Sequence, residues 1–295
     1  MKAPPGPRRS GLQLQKDERV NETHLFRELD MDDVAVRRLT TGEAVCFSHR
    51  SPDKHTPNED AIALLSCGPD RSVLIVADGL GGMPNGGAAS SLAVERLEQA
   101  VRKAPADGPS LRAAILDGLE AANRALLEDD STGATTIVVV EFGGGRVRSY
   151  HVGDSLALLV GQRGRVKLRT EAHSPVGYAI SAGILDEREA MHHEERHLVS
   201  NVVGSPLMRI EIGPEVVFAG RDTLLLASDG LTDNLPVHEV AEVVRKGPLD
   251  CGVRKLVKTC RERMSNPREG EPSKPDDLSV IAFRRATTPK ARAKR

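Results

Sequence analysis

The chain has 295 residues, 39% of them hydrophobic and 28% charged, the proportions of a globular protein with room for one large domain or two small ones. Forty-one Lys and Arg against 42 Asp and Glu leave a formal net charge of −1, which argues against a whole-surface binder of nucleic acid or acidic membranes. With no Trp, two Tyr and five Phe there is little aromatic surface on which single-stranded bases could stack, and no apolar run approaches the ~18–20 residues that cross a bilayer.

The N-terminal MKAPPGPRRSG lacks the apolar stretch of a secretory signal, and the four cysteines, at 46, 67, 251 and 260, contain no CxxC pair. Reduced thiols in a cytoplasmic protein, expected as a monomer, are the reading that follows. Residues 1–38 read as a polar tail that turns helical near 23–36, and residues 286–295 as a basic C-terminal tail. Between them, 39–285 form the expected folded domain. Residues 44–49 and 60–65 are short strands, and 72–77 is a continuous apolar run, as a strand buried on both faces requires. Two helices follow. The first covers 87–103, with Ala89, Ala93, Leu97 and Ala100 on its stripe; the second carries Leu111, Ile115, Leu119, Ala122 and Leu126 on one face.

Strands then come in quick succession at 134–142, 146–152, 155–160 and 165–169, punctuated by Gly143-Gly144-Gly145 and Gly161-Gln162-Arg163-Gly164. A polar stretch, about 173–204, reads as a flap-like segment. Its His192, His193 and His197 offer an i, i+4 pair without the His-Glu-x-x-His pattern of a zinc helix. Strands at 209–212, 216–218 and 223–227, helices at 237–246 and 252–264, and a final strand at 278–285 complete the chain. Helices in consecutive pairs and strands in meanders are not the alternation of a doubly wound sheet. They predict an α+β fold, two mainly antiparallel sheets packed together with a helix pair on each outer face.

The chemistry lies in where the acids fall. Glu59-Asp60 opens one buried strand, Asp78-Gly79 and Asp229-Gly230 close two others, Asp276-Asp277 opens the last, and Asp154 stands between two more. Ionised carboxylates at the rim of an apolar core are costly unless paired or coordinated, and few Lys or Arg flank them in sequence. Hard oxygen ligands without nearby cations suit Mg²⁺ or Mn²⁺. Any one Asp-Gly is an ordinary turn; the set is not.

Six segments then resemble the metal-dependent protein serine/threonine phosphatases of the PPM or PP2C type, in the bacterial branch. They are Asn58-Glu59-Asp60-Ala61, Val76-Ala77-Asp78-Gly79-Leu80-Gly81-Gly82, Gly133-Ala134-Thr135-Thr136, His151-Val152-Gly153-Asp154-Ser155, Leu226-Ala227-Ser228-Asp229-Gly230-Leu231 and Asp276-Asp277-Leu278-Ser279-Val280. They run in the family's order from about 50 to 283. The resemblance implies an α-β-β-α sandwich and two Mg²⁺ or Mn²⁺ ions, with a third, weaker site. It implies that Asp78 bridges the two ions, with the Gly79 carbonyl and Glu59 or Asp60 on one and Asp229 and Asp276 on the other. Asp154, with Asp229, matches the third site. The implied catalytic set is Asp60, Asp78 and Asp229. The implied reaction is hydrolysis of phosphoserine and phosphothreonine in proteins by a metal-bridging water, opposing a Ser/Thr kinase.

Three departures accompany the match. Where many relatives place a phosphate-gripping Arg stands His55, so Arg50, Lys54 or His55 is expected to take that contact. Leu80 follows Asp78-Gly79 where eukaryotic relatives have a His proposed as the acid for the leaving alkoxide. Asp277 follows Asp276 where an Asn is usual. The rival readings are a pseudophosphatase that uses the same fold as a binding module, and a phosphomonoesterase acting on small metabolites.

Overall fold

The computed structural model describes residues 22–52, 54–82, 85–104, 111–129 and 131–286. The first sheet holds β1 (Thr23–Arg27), β4 (Asp60–Ser66), β5 (Arg71–Gly79), β6 (Thr135–Gly143), β7 (Arg146–Val152) and β10 (Glu211–Ile212) in that spatial order, with β11 (Val216–Val217) also on β7. The second runs β2 (Ala35–Arg38), β3 (Gly42–His49), β13 (Leu278–Arg285), β12 (Thr223–Ala227), β8 (Leu156–Val160) and β9 (Val166–Arg169). Every strand pairing described is antiparallel.

The period of two along each strand sorts side chains between cores. In β5, Val73, Ile75 and Ala77 face outward onto α1 (Gly86–Lys103) and α2 (Leu111–Glu128), where they meet Ala93, Leu97, Ile115 and Leu119. Leu74 and Val76 face the other way, onto Leu224, Leu226, Ile281 and Phe283 of the second sheet. The outer face of that sheet, Val45, Phe47, Leu158 and Val280 among it, is covered by α5 (Asp229–Thr232), α6 (Val237–Val244) and α7 (Leu249–Ser265). The result is the α-β-β-α sandwich, with one core between the sheets and one under each helical layer. Each fully buried Leu or Ile contributes about 1.5–3 kcal/mol to it.

The expected helix near 23–36 is not formed. Those residues supply β1 and β2, which pair antiparallel with β4 and β3. Leu25 packs into the helix-side core and the next residue, Phe26, into the core between the sheets, an alternation only a strand provides. Residues 1–21 and 287–295, read as the outer parts of the two tails, lie outside the described residues.

The polar stretch 173–204 folds into α3 (Pro175–Ser181), α4 (Glu187–Ala190) and a 3₁₀ turn, Glu194–His197, at one end of the sandwich. Asp186 caps α4 in a reciprocal box with Glu189. Among the described residues no helix is long and apolar enough to cross a membrane.

Candidate metal centre and active site

Strand pairing sets the site. Asp60 stands opposite Asp78 in the β4–β5 ladder, and Asp78 opposite Thr136 in the β5–β6 ladder. The chain then crosses Gly79 into the start of α1. A Cβ on Gly79 would lie 2.3 Å from the Gly86 carbonyl oxygen and 2.9 Å from that of Glu59, so only glycine fits between them. The Gly79 N–H donates to Glu59 O (3.2 Å), and Ser90 Oγ donates to the same carbonyl at 2.5 Å.

The remaining segments lock onto this edge. Thr135 Oγ1 donates to the Asp78 carbonyl at 2.7 Å. Gly153, at φ 104°, presses against Thr136, whose Cβ would be 2.4 Å from an added Cβ, and this turn delivers Asp154. Ser228 Oγ donates to Asp60 Oδ2 at 2.8 Å and accepts from Ser279 N at 3.0 Å, which ties the Asp229 turn to Asp60 and to β13. An added Cβ on Gly230 would sit 2.0 Å from Asp277 O.

The outcome is a cleft of about 790 Å³ whose walls include Glu59, Asp78, Gly79, Asp154, Asp229 and Asp276. Asp60 lies buried beneath it at 1% exposure, and its Oδ1 is buried with no hydrogen-bond partner. Burial pushes Asp60 up to about 8, helped by the charges of Asp277 and Asp229 and opposed by hydrogen bonds from Ser279 and Ser228. Asp78 is held well above the carboxylate range by burial and by Asp229, Asp60, Asp276 and Asp154. Asp154 is raised to about 8 by burial, Asp229 and Asp233, and Asp276 to about 7 by burial and Asp229. Acids distant in sequence therefore do converge, and they repel one another.

Two lysines join them, which flanking sequence did not suggest. Lys274 Nζ lies 3.0 Å from Asp229, 2.5 Å from Asp233 and 3.1 Å from Asp276. Lys54 Nζ bridges Glu59 (2.5 Å) and Asp277 (2.6 Å). Asp277 also accepts from Ser51 N (2.8 Å) and Glu59 N (2.7 Å), so its buried carboxylate is spent on holding the 51–59 loop, while Asp276, also on the cleft wall, is far more exposed. Asp233 was missed in sequence; it follows Asp229 by four residues, one helical turn, and is raised to about 6 by burial and Asp229.

Of the three candidates for phosphate contact, Lys54 lines the cleft. Arg50 is instead paired with Asp30 (2.9 Å), and His55 is exposed outside the lining.

The residues fit divalent ions in two different ways. Asp60, Asp78 and Asp154 have no Lys or Arg ion partner among the described residues, and the orphaned Asp60 oxygen is the kind of buried acceptor a cation satisfies. The Asp229–Asp233–Asp276 corner has ligand atoms within 4.8 Å of one another and holds the Lys274 ammonium among them. A second such group, His151, His173 and Glu211, lies behind the Asp154 turn. The Gly153 N–H donates to His173 Nδ1 (3.0 Å) and His173 Nε2 meets Glu211 Oε2 (3.0 Å), which binds that turn to segment 173–211.

Known proteins agree with this picture. The family model for protein phosphatase 2C matches residues 48–270. The serine/threonine phosphatase stp of Listeria monocytogenes is 30% identical over 197 residues, 64% of this chain and 77% of that protein. Protein phosphatase PhpP of Streptococcus pneumoniae is 30% identical over 201 residues, 65% and 80% of the two chains. The solved S. agalactiae serine/threonine phosphatase superimposes with a TM-score of 0.66 at 25% identity, over 89% of this chain and 99% of its own. With the six motifs gathered at one end of an α-β-β-α sandwich, the chain belongs to the protein phosphatase 2C family.

Proposed function

We infer that this chain is a metal-dependent phosphatase that hydrolyses phosphoserine and phosphothreonine in proteins, with Mg²⁺ or Mn²⁺ as its metal. The observation that carries the reading is a set of acids, Asp78 and Asp154 lining an open cleft with Asp60 buried beneath it, none of them in a salt bridge to Lys or Arg among the described residues. Asp60, Asp78 and the Gly79 carbonyl, with Glu59 beside them, would hold one ion. Asp78, Asp229 and Asp276 would hold another, and Asp154 with Asp229 a third. When bound, such ions supply Lewis acidity that activates water and offsets the charge of the phosphate.

The chain's own groups do the rest. Ser228, Thr135 and the Gly79–Gly86 contact fix the carboxylates in place before substrate arrives. Lys54, on the cleft wall, supplies the positive charge that the displaced Arg would have given, and Asp277 keeps it there through a 2.6 Å bond. Segment 173–204 borders the same cleft through His197 and Val199 and so acts as a flap beside the substrate. The substrates are phosphorylated proteins, and the enzyme opposes a serine/threonine kinase; the folded unit extends from β1 to β13.

The test is Mn²⁺-dependent phosphate release from an aryl phosphate, phosphothreonine peptides and small phosphorylated metabolites, with and without EDTA. Turnover of the peptides that EDTA abolishes is expected. No turnover of any substrate would make the chain a binding module, and turnover of metabolites alone would make it a small-molecule phosphatase.

A further inference from the structure

Cleaving a phosphoserine or phosphothreonine ester leaves the electron pair of the P–O bond on an alkoxide, a poor leaving group unless it takes up a proton as the bond breaks. The residue after Asp78-Gly79 is Leu80, which carries no proton to give. The titratable side chains that line the cleft are six carboxylates, two lysines and one histidine. Five of the carboxylates are the groups a metal would need in ionised form, and the sixth, Asp277, is bound to Ser51 N, Glu59 N and Lys54. Both lysines are tied to them, Lys54 to Glu59 and Asp277, Lys274 to Asp229, Asp233 and Asp276. Each ammonium is therefore engaged by two or three carboxylates rather than free to face a leaving oxygen. The Ser51, Thr56 and Thr136 hydroxyls are far too weak as acids for this step.

His197 is what remains. It ends the 3₁₀ turn Glu194–His197, is exposed, and lines the same cleft as the carboxylates together with Val199. Among the described residues its ring makes no hydrogen bond or ion pair, in contrast to His151 and His173, whose rings are engaged behind the Asp154 turn. Histidine is also the side chain best suited to give and regain a proton near neutral pH.

We propose that His197 is the general acid of this phosphatase, protonating the serine or threonine oxygen as it leaves phosphorus. The P–O bond to the side chain breaks, a ring N–H passes its proton to the departing oxygen, and water supplies the new oxygen on phosphorus. The products are the free hydroxyl and inorganic phosphate, and the ring is reprotonated from solvent. The proton donor thus reaches the cleft from the flap segment, 117 residues beyond Leu80. This rests on the phosphatase reading of the same cleft.

The leaving group separates this role from others. A p-nitrophenolate departs without a proton; an alkoxide does not. H197Q and H197A are assayed with Mn²⁺ on p-nitrophenyl phosphate and on a phosphothreonine peptide. We expect kcat on the peptide to fall ~10²-fold, with a far smaller loss on the aryl ester, and added imidazole to restore part of the peptide rate of H197A. Equal losses on the two substrates, a rise in KM alone, or no loss on the peptide would each overturn the assignment. Wild-type protein that turns over neither substrate would instead sink the phosphatase reading itself.

Discussion

Asp78 stands where four other carboxylates raise its energy, so its place in the cleft costs stability that function requires. Asp78→Asn is expected to remove Mn²⁺-dependent turnover by ~10²-fold or more and to raise the melting temperature in EDTA by about 2–4 °C. Unchanged melting in EDTA would mean that the acids do not repel as described. Lys274 is the converse case, a cation placed among Asp229, Asp233 and Asp276 where a metal would also bind. Lys274→Ala should lower the metal-free melting temperature and tighten Mn²⁺ binding, read by calorimetry, about tenfold or more. Weaker binding would show that the ammonium helps to build the corner. The acids were legible because each lies at a strand end, three of them (Asp78, Asp154 and Asp229) beside glycine. Lys54 was legible as a candidate for phosphate contact, but its pairing with Asp277, 223 residues away, and that of Lys274 with Asp229, 45 residues away, were not.

At the scale of elements, periodicity located most strands and the four long helices, and missed β1, β2 and the short helices α3, α4 and α5. Strands 146–152, 223–227 and 278–285 are formed as expected, and the apolar run 223–227 bounded by turn residues has few other uses. The failure at 23–36 has a clear cause. Short edge strands such as β1 and β2 carry little pattern of their own, and ladder bonds to β4 and β3 decide their state. A chain that starts at Leu39, where the sequence alone would place the domain boundary, exposes both sheet edges. It is expected to melt at least several degrees below the full chain and to aggregate on heating. Equal melting temperatures would return β1 and β2 to the status of a tail.

For the molecule as a whole, the site imposes a pH dependence with a definite sign. Asp60, Asp154 and Asp276 have folded values of about 8, 8 and 7 against an ordinary 3.8, so the folded protein binds more protons than the unfolded chain between those limits. Their stabilising contribution is fully present below pH ~4 and is lost as pH rises through 7 and 8. Melting temperature in EDTA should fall from pH 5.5 to 8.5, and saturating Mn²⁺ should flatten or reverse the trend by neutralising the ionised acids. A metal-free melting temperature that climbs over that range would contradict the convergence of the acids. The sequence by itself determined the layers, because alternation within strands and stripes on helices fix which face each element buries. It also pointed to most of the acids that converge, Asp233 excepted, because carboxylates at the ends of apolar strands need a counter-charge. Only the tertiary structure decided which cations answer them, that Asp277 is spent on the 51–59 loop, and that His197 reaches the cleft. Those contacts join residues from distant segments, and no local pattern records a distance that packing alone sets.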